Sequence, residues 1–237
     1  MKNYQGITEN IKASILGKIT RTIKPFFLRE KWILVTEKTG RSYFGYAGII
    51  TSEKSIKKNK YPFVFGVDLQ SLSELKDDDI VLIEPSGQIN VLWDSNSIHN
   101  SILATEQCNE NCVMCPQPKR KDPDDLFELN IKLIKLLNPE KTKHIGITGG
   151  EPTVIGDKLI DLIENCKRHC KNASITLLTN GIKFKELEYT RKLSQINHHD
   201  LVICIPLYAD NDTEHDTIVG RKGSFYETVK GIHNMAL

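Results

Sequence analysis

The chain has 237 residues, 39% of them apolar, which is enough to bury a sizeable core in one domain or two. Its 32 basic side chains against 30 acidic ones leave a formal charge of +2, so nothing in the charge balance asks for a polyanionic partner. Residues 6–20 are broken by polar side chains, and no stretch reaches the ~18 apolar residues of a membrane helix, which excludes a signal-type segment and a span.

Residues 1–95 are expected to form a small, β-rich, mostly antiparallel N-terminal domain. Ile11, Ile15, Leu16 and Ile19 fall on one helical side and predict a short helix over 11–19. Runs rich in β-branched and aromatic residues then predict strands at 32–36, 43–50, 63–67, 80–84 and 89–93. Pro85-Ser86-Gly87-Gln88 reads as the hairpin turn between the last two, and Gly40, Gly45 and Gly48 punctuate the earlier pair. Lys54, Lys57, Lys58 and Lys60 read as a solvated loop, because no aromatic interleaving marks a nucleic-acid surface. This half shows no catalytic constellation.

Asp94-Ser95-Asn96-Ser97 is a polar break, and residues 96–237 alternate strands with helices. Strands are predicted at 102–105, 144–148, 174–179 and 201–207. Helices are predicted after a cap at Asp124, with Leu126, Leu129, Leu133, Leu136 and Leu137 as its stripe, and at 159–170, 184–194 and 224–236. In the last, Phe225, Val229 and Ile232 are in register for the inner face. The alternation implies an α/β fold of four βα units around a parallel sheet. In such folds the chemistry sits in loops after the strands. Cys108 to Cys115, Gly149-Gly150-Glu151-Pro152, Asn180-Gly181 and the segment from Tyr208 to Asp212 each follow one strand.

Cys108, Cys112 and Cys115 are spaced C-x3-C-x2-C, so a loop can turn their sulfurs toward one point. Soft thiolates select iron–sulfur clusters, zinc or Cu(I). A closed structural zinc site or an electron-transfer cluster takes four protein ligands. Three thiolates leave one iron of a four-iron cluster open to a small molecule. The competing reading is a zinc knuckle with His99 or His144 as fourth ligand. Cys166 and Cys170 share a helix face and read as small buried hydrophobes. Cys204, within an apolar strand, reads as core. His198-His199 reads as a solvated connection, and Asp124-Asp125 as helix capping. Reduced thiols in this pattern suit a cytoplasmic protein.

The cysteine loop, followed one βα unit later by Gly149-Gly150-Glu151-Pro152, resembles the signature of the radical S-adenosylmethionine (SAM) enzymes. The resemblance covers residues 101–237 and implies a partial (βα) radical SAM barrel. It implies a 4Fe-4S cluster on Cys108, Cys112 and Cys115, with SAM chelating the fourth iron. Gly149, Gly150, Glu151 and Pro152 match the family's GGEP motif, whose backbone and acid contact the SAM amino group. Thr179 and Asn180 resemble the family's third-strand terminus, and Arg221 a position near the SAM carboxylate. His215-Asp216 resembles the segment after strand four, with no role assigned. Met114 stands where the family usually carries an aromatic residue.

Leu103-Ala104-Thr105-Glu106-Gln107-Cys108, Cys115-Pro116-Gln117-Pro118 and Ile205-Pro206-Leu207-Tyr208-Ala209-Asp210 are most similar to the radical SAM maturase of the His-Xaa-Ser system. That resemblance implies reductive cleavage of SAM to a 5′-deoxyadenosyl radical and modification of a His-Xaa-Ser repeat peptide. Maturation partner proteins and a flavodoxin- or ferredoxin-type electron donor are implied with it, and neither nucleic acid nor membrane. The alternatives are a radical SAM enzyme on a small molecule, similar to a deazaguanine synthase, or a non-catalytic iron–sulfur protein. Family barrels usually have six βα units. With four here, residues 201–207 are expected to present an apolar unpaired edge, in a chain that is truncated, or completed by a second polypeptide, and poorly soluble alone.

Overall fold

The computed structural model describes residues 2–37, 43–54, 60–117 and 125–237. Gly40, Lys57, Lys58, Pro118 and Asp124, which carry expectations above, lie outside the described residues. The chain divides into two compact units, Met1–Ser97 with Lys135–Asn138, and Ile98–Ile134 with Pro139–Leu237.

The first unit is a β structure built from β1 (Asn3–Gln5), β2 (Ile7–Glu9), β3 (Ile15–Thr20), β4 (Trp32–Thr36), β5 (Gly48–Thr51), β6 (Phe63–Phe65), a short helix α1 (Leu69–Glu74), β7 (Ile80–Ile83) and β8 (Gln88–Trp93). The expected helix over 11–19 is a strand. Ile15, Leu16, Gly17 and Lys18 pair with β7, and Lys18, Ile19 and Thr20 pair with β4. β-branched residues fit a pleated, half-buried surface, and two partner strands outweigh a weak helical stripe. The unit is also less antiparallel than expected. β3–β4, β4–β5 and β5–β6 are parallel pairs, while β1–β8, β8–β7, β7–β3 and β2–β6 are antiparallel.

The sheet order is β1-β8-β7-β3-β4-β5-β6-β2, with β1 and β2 at opposite margins. Gly6 alone separates these two strands, so one continuous segment joins both margins and closes the sheet on itself. A side chain at Gly6 would meet Val64 Cγ1 at 2.4 Å, so glycine is needed at this bend. Ile19, Ile33, Val35, Ile50, Val64, Val81, Ile83 and Ile89 fill one apolar cluster. Leu34, Ile49 and Phe63, with Tyr46, fill a second, as alternation along β4 to β6 requires.

The second unit runs β9 (Ser101–Leu103), α2 (Phe127–Leu136), β10 (His144–Thr148), α3 (Asp157–His169), β11 (Ser174–Leu178), α4 (Leu187–Gln195), β12 (Leu201–Cys204), α5 (Asp212–Val219) and α6 (Ser224–Met235). Its four strands form one parallel sheet in the order β12-β11-β10-β9. Asp125 supplies the turn into α2, its Oδ1 accepting from Phe127 N at 3.1 Å. α5 has no counterpart among the expected helices. The inner face of α6 also differs: Ser224, Thr228 and Gly231 are buried, whereas Ile232 is 39% exposed. A side chain at Gly231 would meet Gly181 O at 2.3 Å, so the helix lies too close to the turn after β11 for large residues. Cys166 and Cys170 are buried, as read from the sequence. Among the described residues no helix is long and apolar enough to cross a membrane.

Candidate functional site

The ends of β9 to β12 open onto one cavity of about 860 Å³. Cys108, Cys112 and Cys115 line it, with Gly149, Gly150 and Glu151 after β10 and Thr179 and Asn180 after β11. Cys204, Ile205, Pro206 and Tyr208, at the end of β12, complete that wall. None of the three loop cysteines is in a disulfide; Cys115 is exposed and the other two are partly buried. Burial, and then the neighbouring Glu110, Cys108 and Cys115, push the Cys112 thiol up to about 11. The three sulfurs therefore share one electrostatic neighbourhood. Among the described residues no three His, Cys, Asp or Glu side chains form a compact single-ion site. A four-iron cluster makes a different demand, because each protein thiolate takes a separate iron.

The Gly-Gly-Glu turn has a local reason for its composition. A side chain at Gly149 would meet Thr105 O at 2.5 Å, and one at Gly150 would meet Gln107 O at 2.2 Å. Gly150 N donates to Thr105 O at 2.8 Å and Glu151 N to Gln107 O at 2.7 Å. The glycines thus admit the backbone that leads into the cysteine loop. Glu151 is 1% exposed. Its Oε1 accepts from Thr153 N at 2.9 Å, Thr153 Oγ1 at 2.6 Å and Thr179 Oγ1 at 2.6 Å, and its Oε2 from Asn180 N at 2.6 Å. This carboxylate ties the end of β10 to the end of β11. Pro152 is buried at the start of a 3-10 turn, Pro152–Ile155, and is not among the residues facing the cavity.

The cysteine loop is also held from the far side. Asn111 N donates to Val219 O at 2.9 Å and Val113 N to Ile218 O at 3.0 Å, so the loop docks on the last carbonyls of α5. Gly220, at φ +64°, caps that helix and leaves room for Asn111 O, which a side chain would meet at 2.6 Å. Asn180 Nδ2 donates to Asn109 Oδ1 at 2.7 Å. Glu110 accepts from Ser224 Oγ at the start of α6, and Thr228 Oγ1 donates to Asn180 O at 3.1 Å. Asn109, Glu110, Ser224 and Thr228 escape a sequence reading, since their partners lie 48 to 114 residues away. The small-residue spacing of Ser224, Thr228 and Gly231 was the available signal.

Three sequence expectations change. Arg221 is not among the cavity-lining residues; its NH2 pairs with Glu227 Oε2 at 2.7 Å, beside Lys185 on the same carboxylate at 2.5 Å. Cys204 is exposed and lines the cavity, because β12 pairs only with β11 among the described residues and the face it shares with Val202 is left uncovered. His99 and His144 lie together, ring centroids 6.3 Å apart, but His144 begins β10. The cavity is at the other end of that strand, about 13 Å away at 3.3 Å per residue. Neither histidine is placed to complete a knuckle. His215, buried, accepts from Tyr208 N through Nδ1 at 3.3 Å and so fixes the segment after β12.

Among known protein families, residues 102–236 match the Radical SAM superfamily. The chain belongs to the radical SAM superfamily. It is 28% identical over 139 residues to a GTP 3',8-cyclase of Petrotoga mobilis, covering 55% of this chain and 40% of the relative. It is 35% identical over 107 residues to a 7,8-dihydro-6-hydroxymethylpterin dimethyltransferase of Methanocaldococcus jannaschii, covering 43% and 21%. It is 29% identical over 143 residues to the antilisterial bacteriocin subtilosin biosynthesis protein AlbA of Bacillus subtilis, covering 57% and 30%. The chain thus spans well under half the length of these relatives. Radical SAM enzymes use a 4Fe-4S cluster and SAM. The donor set here fits that group: three soft thiols line one end of a cavity that extends past the Gly-Gly-Glu turn.

Proposed function

We propose that the chain is a radical SAM enzyme that modifies a His-Xaa-Ser repeat peptide. The observation that supports this best is the convergence of Cys108, Cys112, Cys115, Gly149, Gly150, Glu151, Thr179 and Asn180 on one cavity. When bound, the reduced cluster and SAM together supply a 5′-deoxyadenosyl radical able to take a hydrogen atom from the substrate. In this reading the three cysteines hold the metal group and leave one iron for SAM. Backbone groups of the Gly149-Gly150 turn would meet the SAM amino group, and Thr179 and Asn180 would line the SAM site beside them. Glu151 acts by holding that turn rigid, and Arg221 reaches a SAM carboxylate only by leaving Glu227.

A peptide is favoured by the cavity's wall, where Met114, Leu178 and Tyr208 expose large side chains. The acidic lining residues Glu106, Glu110 and Glu151 oppose a triphosphate. The similarity to a bacteriocin biosynthesis protein points the same way. The similarity to a GTP cyclase and a pterin dimethyltransferase favours the second reading, a small-molecule substrate. In the peptide reading residues 96–237 act as a partial barrel, fed by a flavodoxin- or ferredoxin-type donor and assisted by maturation proteins in the cytoplasm.

Anaerobic reconstitution with iron and sulfide, then dithionite and SAM, is expected to yield 5′-deoxyadenosine. Cys112→Ala should abolish that product. Parallel assays with a His-Xaa-Ser peptide and with GTP separate the two substrate readings by which one is consumed. A bound cluster without product supports the non-catalytic alternative.

A further inference from the structure

Glu110 lies inside the cysteine loop, between Asn109 and Asn111, and is 5% exposed. Its Oε1 accepts from Ser224 Oγ, a fully buried hydroxyl brought from 114 residues away. Its Oε2 is 3.9 Å from Cys112 Sγ. Ser224 opens α6, a helix of 12 residues, whose N-terminal dipole favours an anion. Burying a carboxylate is costly unless it is held by hydrogen bonds and favourable dipoles. Here a hydroxyl and a helix end hold it, and its second oxygen faces Cys112 Sγ.

We propose that Glu110, through its charge beside Cys112, makes the cluster harder to reduce; this rests on the radical SAM reading of the site. Reduction adds one electron, supplied by an external donor, to a group already facing a negative carboxylate. In a poorly solvated setting that repulsion is only weakly screened. The reduced state is disfavoured and the midpoint potential becomes more negative, one of the levers by which a protein tunes such clusters. A more negative potential gives the transferred electron more driving force toward a bound cosubstrate.

The test is an EPR-monitored redox titration of the reconstituted full chain without SAM or substrate. Glu110→Gln keeps the shape and the acceptor for Ser224 but removes the charge. The expected result is an iron content equal to the unaltered chain and a midpoint shifted to less negative potential. Glu110→Asp, which withdraws the charge by one methylene, should shift in the same direction by less. Full iron loading with an unchanged midpoint in Glu110→Gln overturns the proposal. If Glu110→Gln holds no iron, Glu110→Asp decides: a less negative midpoint supports the proposal and an unchanged one overturns it. Iron loss from both variants overturns it in favour of a purely structural role. An unaltered chain that takes up no four-iron cluster removes the radical SAM reading itself, and this inference with it.

Discussion

The carboxylate of Glu151 accepts four hydrogen bonds from Thr153, Thr179 and Asn180 and so ties the end of β10 to the end of β11. Glu151→Gln would place an amide N–H₂ against groups that are themselves donors. An unsatisfied buried donor costs about 1–3 kcal/mol. Chemical denaturation of the cluster-free chain should show a loss of about 2 kcal/mol, and a loss below about 0.5 kcal/mol would mean the network rearranges freely. The sequence showed where this acid stands but not what it does. A motif fixes position along the chain, whereas the saturation of a carboxylate depends on Thr179 and Asn180 arriving from another strand. Glu110 and Ser224 were invisible for the same reason.

At the level of elements, the parallel half was largely legible. β10 matches its predicted span because Ile145 and Ile147 form part of a compact apolar run between polar ends. The stripe of Leu159, Leu162, Ile163 and Cys166 located α3. α5 was missed because it buries only His215 and Val219 and so shows no helical stripe. Residues 11–19 were misread because Ile15 and Ile19 satisfy a period of four as well as alternation, and only the partners β4 and β7 decide between them. α6 was found but rotated, since the sequence draws attention to large apolar residues and the contact is made by small ones. Gly231→Ala forces a Cβ against Gly181 O and should destabilise by about 1–3 kcal/mol, the usual range for overpacking. Ile232→Ala, at a 39% exposed position, should cost under about 1 kcal/mol. Thermal or urea unfolding of both variants checks the contrast, and equal losses would contradict the small-residue face.

For the whole molecule, two kinds of sheet solve the problem of margins differently. In the second unit β12 pairs with β11 alone among the described residues, and Val202 on it is 47% exposed. In the first unit the margins are joined through Gly6. Strands of three residues, such as β1 and β2, are too short to announce themselves by alternation, so this closure could not be read from the sequence.

That bend makes the opening residues a clasp. Asn3–Gln5 covers the flank of β8 and Ile7–Glu9 covers the flank of β6, so a single cut releases both. A chain lacking residues 2–9 should expose two adhesive flanks at once and self-associate, visible as a rise in light scattering with concentration. A bulky fusion at the amino terminus should be tolerated only with a spacer long enough to leave the clasp shut.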